Sequence, residues 1–105
     1  MATRKVTRYD RVKIVKSKKK GKKYDAVFTM TGSNKSKTIS FGAAGMSDYT
    51  IHKNSARKRN YIGRHKAREN WSNPYTAGTL SRYILWNQTS LRASIASYKR
   101  RFKLK

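Results

Sequence analysis

The chain has 105 residues, with 27 Lys and Arg against 4 acids and a formal net charge of +23. A length of this order suits one domain, and a surplus that large exceeds what solubility requires, which is a net charge of about 2–8. The absence of cysteine excludes disulfides and thiolate metal sites, and no apolar run reaches the roughly 18 residues of a membrane span or forms a secretory signal core.

Residues 1–10 read as a flexible N-terminal arm of a single small basic domain, with strands over 11–41 and helices over 54–102. Val12 and Ile14 alternate with Arg11 and Lys13, which is the period of a half-buried strand. Lys16 to Lys23 carries six lysines in eight residues and reads as a loop. Tyr24 to Thr31 alternates again, with Ala26, Phe28 and Met30 on one face, and Gly32 to Ser36 is a turn cluster. Lys37 to Phe41 makes a third strand with Ile39 and Phe41 inward. Short connections imply an antiparallel meander with one apolar face in need of a cover.

Gly42 and Gly45 flank a flexible bridge, and Ser47 to Lys53 is irregular or a single helical turn. Asn54 or Ser55 caps a helix reaching about Asn70, which Gly63 would kink or split. Ser72-Asn73-Pro74 is a helix start signal, and Ala77, Leu80, Ser81, Ile84 and Leu85 then form one helical stripe suited to covering the sheet. Thr89 or Ser90 caps a last helix with Leu91, Ile95, Tyr98 and Phe102 on one face and basic residues at its end, where they complement the helix dipole. The fold class is α+β: a three-stranded antiparallel meander followed by two or three helices.

The unbalanced charge points to a polyanionic partner, whose counterions are released on binding. Aromatics make up 11% of the chain, which argues against a disordered basic tail. The expected phosphate contacts are Lys18, Lys19, Lys20, Lys22 and Lys23 in the lysine run, Arg57, Arg64 and Arg68 on one helical face, and Arg100 and Arg101 in the last helix. Lysine suits phosphate attraction without base reading, and arginine can grip phosphate bidentately. Tyr61 shares the Arg57 face, whereas Trp71 and Trp86 read as core anchors more than as base-stacking platforms. His52 and His65 lack the neighbours for a metal shell, although Asp48 could pair locally with His52. No nucleophile elbow, phosphate cradle or carboxylate pair is present, so the expectation is a non-enzymatic protein without metal, cofactor or small-molecule substrate.

Several ordered strings carry a resemblance: Lys37 to Lys53, Arg64-His65-Lys66-Ala67-Arg68-Glu69-Asn70-Trp71, Asn73 to Gly78, Leu80 to Asn87, Ser90 to Ile95, and Tyr98 to Phe102. Over about 37–102 the chain resembles a family of short, basic, uncharacterised proteins of large nucleocytoplasmic DNA viruses. The resemblance implies a virion-associated structural protein, located in the virion and, during assembly, in the host nucleus or a cytoplasmic viral factory. Nucleic acid is the expected partner, DNA favoured over RNA, with no membrane role. It transfers no site residue. The alternatives are a minor capsid protein bridging acidic capsomer surfaces and a ribosomal-protein-like RNA binder.

Overall fold

The computed structural model describes residues 9–105, so the expected arm lies outside the described residues except for Tyr9 and Asp10. These two do not behave as an arm. The Tyr9 N–H donates to the Tyr75 hydroxyl, which donates in turn to the Tyr9 carbonyl, both at 3.2 Å. The Asp10 N–H donates to Thr29 O at 3.1 Å.

Strands β1 (Arg11–Lys16), β2 (Lys22–Thr29) and β3 (Ser36–Ala43) form an antiparallel sheet in the order β1-β2-β3. The register sets Val12 opposite Phe28, Ile14 opposite Ala26, Ala26 opposite Ile39, and Tyr24 opposite Phe41. Because side chains alternate, this pairing places the predicted apolar residues on one face. Val12, Ala26, Phe28 and Phe41 are buried there, with Ile14 and Ile39 packed beside them. The lysine run is shorter as a loop than expected. Lys16 belongs to β1 and Lys22 and Lys23 to β2, leaving 17–21 as the turn, with Gly21 at φ +85°.

The cover comes from the second half. Helix α1 (Tyr49–His52) is one turn, N-capped by Asp48. Helix α2 (Ser55–Lys66) is capped by Asn54, whose side-chain oxygen accepts from Ala56 N and Arg57 N. It passes through Gly63 without a break and ends four residues before the predicted boundary.

The start signal at Ser72-Asn73-Pro74 does not open a helix. Asn73 instead accepts from Tyr75 N at 3.0 Å and closes a local turn. Asn side chains stabilise such turns as readily as they cap helices. Thr76 is the actual cap of α3 (Ala77–Leu80), which runs directly into a π-helical turn, Ser81–Leu85, closed by Trp86 N–H donating to Ser81 O at 3.0 Å. Leu80, Ile84 and Leu85 from this continuous segment are buried against the sheet, whereas Ala77 of the predicted stripe is exposed.

Helix α4 (Leu91–Phe102), capped by Ser90, adds the fully buried Tyr98. Lys103 takes a left-handed conformation (φ 55°), and the Leu104 N–H donates back to Lys99 O at 2.8 Å. This turn-back buries Leu104. Lys105 then exchanges backbone hydrogen bonds with Asp10 and Val12 and covers the free edge of β1. Exposed strand edges invite pairing with other chains, so the C-terminal residues close a vulnerable side.

Candidate nucleic-acid interface

The four acids are all engaged inside the molecule, and mostly not with cations. Asp10 accepts from the Thr31 N–H at 2.8 Å and its hydroxyl at 2.6 Å. Asp25 accepts from the Ser17 and Ser40 hydroxyls at 2.7 and 2.6 Å. These hydrogen bonds hold both carboxyls below the ordinary aspartate value. Glu69 stands beside His65. Asp48, 2% exposed, accepts from Lys23 and from the Thr50 N–H and hydroxyl. Removing Arg4, Lys5 and Arg8 from the 27 cations leaves 24 in the described part. Among the described residues Lys23 is the one Lys or Arg paired with a carboxylate.

Lys23 therefore leaves the set of expected phosphate contacts. It lies in β2, its side chain is largely covered, and it is bound to Asp48. A charge run cannot reveal which of its lysines meets a buried acid 25 positions later. Asp48 is likewise not the partner of the His52 ring. The His52 Nδ1 accepts from Asn54 N at 2.9 Å, and its ring lies 5.3 Å from that of Trp86. Burial first, and then the Arg57 charge, hold His52 below its ordinary value.

Lys18, Lys19, Lys20, Lys22, Arg57, Arg64, Arg68, Arg100 and Arg101 are all exposed. Arg57 and Arg64 lie in α2, on the helical face that Tyr61 centres, whereas Arg68 lies in the turn beyond the helix. That face is the seam by which α2 joins the body. Tyr61 is buried, stacked on Trp86 (4.4 Å, 4°) and on His65 (4.2 Å, 27°), and its hydroxyl is pushed up to about 12 by burial. Arg57, Arg64 and Arg68 themselves stay exposed. Trp86 thus packs as expected of a core anchor.

Two further cations are half-buried. Arg82 Nη1 donates to Trp86 O at 2.8 Å and Lys58 Nζ to Asn87 O at 2.6 Å, so they satisfy the carbonyls at the end of the π turn. The Arg82 guanidinium also lies over the Trp71 and Tyr83 rings, and Lys58 lies over Tyr49. Burial lowers the pKa of both, and their mutual repulsion adds to the effect on Lys58. Helix-end carbonyls need such donors when the chain turns away. Neither residue is part of the expected contact set.

The exposed cations do not form one patch. Lys22 and Arg64 border a cavity of about 480 Å³ at the Lys22–Ala43 end of the sheet, beside the lysine turn. Arg101 borders a second hollow with Tyr9, Asp10 and Pro74, at the other end. Strand β2 has eight residues, so these ends are separated by roughly 23 Å. Arg101 also rests on the Tyr83 ring, 4.4 Å from its centre.

A model of a protein family, described as a family of unknown function (DUF5754), matches residues 12–65. Searches of curated proteins and of solved structures returned no significant match. The family match begins in β1 and ends one residue short of the end of α2, so it includes the sheet except Arg11, the Lys23–Asp48 pair and the Tyr61–His65 stack. It also reaches back well ahead of Lys37, where the resemblance noted from the sequence begins. Spanning more than half of the sequence, this match establishes that the chain belongs to the DUF5754 family, a family of unknown function.

Proposed function

We propose that the protein is a non-enzymatic, virion-associated structural protein that binds nucleic acid, the viral DNA genome, by sequence-independent phosphate contacts. The observation that carries the reading is the fate of the acids. With Asp10 and Asp25 engaged by hydroxyls and Asp48 by Lys23, nearly the whole cationic surplus remains on the outside of a folded body. Repulsion within such a surface is relieved when a polyanion displaces its counterions. The contact set is Lys18, Lys19, Lys20, Lys22, Arg57, Arg64, Arg68, Arg100 and Arg101. Their distribution over both ends of the sheet suits a body embedded among strands better than one docked in a single groove. The association with virions rests on the sequence resemblance alone.

The test is the salt dependence of binding to duplex DNA. If about eight phosphates are neutralised, log K falls with log salt at a slope of about −7. Replacing Lys18, Lys19, Lys20 and Lys22 together with Gln lowers the slope by about 3–4. A slope near zero overturns the reading.

A further inference from the structure

The two edges of the sheet are finished differently. The β1 edge carries the exposed cations Arg11, Lys13 and Lys16 and is closed by the backbone of Lys105. The β3 edge has neither protection along most of its length. Among the described residues, its backbone bonds only to β2, apart from the Met46 N–H donating to Ala43 O in the turn that follows. Ser36, Lys37, Thr38 and Ala43 are exposed. Lys37 is the single cation of β3, and residues 38–52 form the longest stretch of the chain without Lys or Arg. Met46 and Ile51, the exposed large apolar side chains among the described residues, fall within that stretch. A solvated strand edge presents unpaired N–H and C=O groups as a template for another strand. Phosphate contact explains nothing here, because the segment offers almost no cation.

We propose that β3 is a self-association edge, at which two copies of this chain pair antiparallel about a two-fold axis and join their sheets into one. Copies that each carry a net charge of +23 repel wherever their cations meet, so contact is least opposed where the surface lacks them. An acidic partner would instead be drawn to the cation-rich faces. Antiparallel pairing sets residues of like orientation opposite each other, so Lys37, Ile39 and Phe41 of one copy face the same three residues of the other. The covered faces of the two sheets then continue one another. Gly42, at φ +79°, departs from regular extended backbone and limits the ladder to Lys37–Phe41, which centres it on Ile39 opposite Ile39. The two Lys37 residues then sit four positions apart along the strand, about 13 Å at about 3.3 Å per residue. That is beyond the physiological screening length of about 8 Å. So short a ladder makes the association reversible and dependent on protein concentration. It does not rest on the nucleic-acid reading.

Sedimentation equilibrium of the full-length protein tests the edge. In low salt the mass is expected at 12.2 kDa. At millimolar protein in about 1 M salt, where the screening length falls to about 3 Å, it should approach twice that value. Binding to nucleic acid weakens over the same salt range, so the two readings fail separately. The chain has no cysteine, which lets single thiols report the register. With glutathione disulfide as oxidant in high salt, Ile39→Cys should give a disulfide-linked dimer, because residues directly opposite have Cα atoms about 4.5–5.5 Å apart. Residues at Thr38 or Ser40 meet their counterparts only diagonally, about 7–8 Å apart, so Thr38→Cys and Ser40→Cys should crosslink several-fold less. Ala93→Cys, exposed on α4, measures random collision. Thr38→Lys, at an exposed position that leaves the core intact, adds two cations near the axis and should shift the monomer–dimer midpoint to higher salt. A monomer at every salt concentration, crosslinking of Ala93→Cys as fast as Ile39→Cys, or an unshifted midpoint in Thr38→Lys overturns the proposal.

Discussion

Replacing Lys23 with Met would leave the Asp48 carboxylate, 2% exposed, without its cation. Asp48 cannot escape to water, because its side chain also caps α1 by accepting from the Thr50 N–H at 2.9 Å. Breaking a buried pair from this side costs about 3–5 kcal/mol, and the remaining Thr50 donors place the cost near the lower end, about 3 kcal/mol. The opposite change is milder. In Asp48→Asn the side-chain oxygen can still cap α1, while Lys23 has a flexible four-carbon stem and a side chain already 13% exposed, so its ammonium can reach solvent. That variant is expected to lose about 1 kcal/mol. At about 4–8 °C per kcal/mol for a domain of this size, thermal melts should drop by at least about 12 °C for Lys23→Met and by about 4–8 °C for Asp48→Asn. The double variant should melt close to Asp48→Asn. Binding supplies a second readout. Lys23→Met, measured below its melting point, should keep the parent salt slope, whereas Lys22→Gln should reduce it by about 0.9. Equal losses in the two single variants, or a reduced slope in Lys23→Met, would refute the assignment of Lys23 to the fold.

Gly42→Ala should cost about 2–3 kcal/mol in urea denaturation, because φ is +79° and the new Cβ would lie 2.8 Å from the buried Leu85 Cδ1. Gly45→Ala, at φ +83° with open space around it, should cost only about 1 kcal/mol, and equal costs would remove the packing argument. His52 is held below its ordinary value of 6.5, so the fold favours the neutral ring. Its contribution is present above pH 6.5 and is lost as pH falls from there through the depressed value. The melting temperature should decline below pH 6.5, and His52→Asn, which keeps an acceptor for Asn54 N, should flatten that decline. Leu104→Ala should lose about 2 kcal/mol and speed hydrogen exchange at the Val12 amide, which donates to Lys105 O at 3.1 Å. An unchanged exchange rate would detach the C-terminal turn from the sheet edge.

Periodic apolar residues made the sheet and two of the helical faces legible. Val12, Ala26, Phe28 and Phe41 alternate in sequence and share one face in space, and Leu80, Ile84 and Leu85 follow helical spacing into the same core. Competition between equivalent local signals was not legible. Asn73 and Thr76 are both good caps, and only the packing of Leu80 and Ile84 decides in favour of the second. The π turn leaves no pattern distinct from an α-helix. Long-range partners are equally silent: Lys23 resembles its five neighbouring lysines until Asp48 is placed beside it. Tyr61 offered a usable clue, since a large ring amid basic residues must turn to the body. Leu104 was hidden by its position after the last helical residue, among Lys103 and Lys105.

The placement of the acids bears on how a chain so charged can fold at all. Four carboxylates could at most have neutralised four bases, and only Asp48 meets a Lys or Arg among the described residues: Asp10 fastens a strand end, Asp25 a sheet face, and Glu69 stands beside His65. The strongest contacts of Asp10 and Asp25 are hydroxyls and a backbone N–H, which hold a carboxylate without an ion pair. Internal charge balance was therefore exchanged for local order, and cohesion falls to the apolar core around Phe28, Phe41, Ile84 and Tyr98. A core of that kind tolerates a repulsive surface only while counterions are close, within about 8 Å at physiological salt. Phosphates laid along the lysine turn and α2 would take over that role, and a second strand could do so at the Arg101 end. On the proposed function, the surplus that burdens the free protein becomes the driving force for its assembly with nucleic acid.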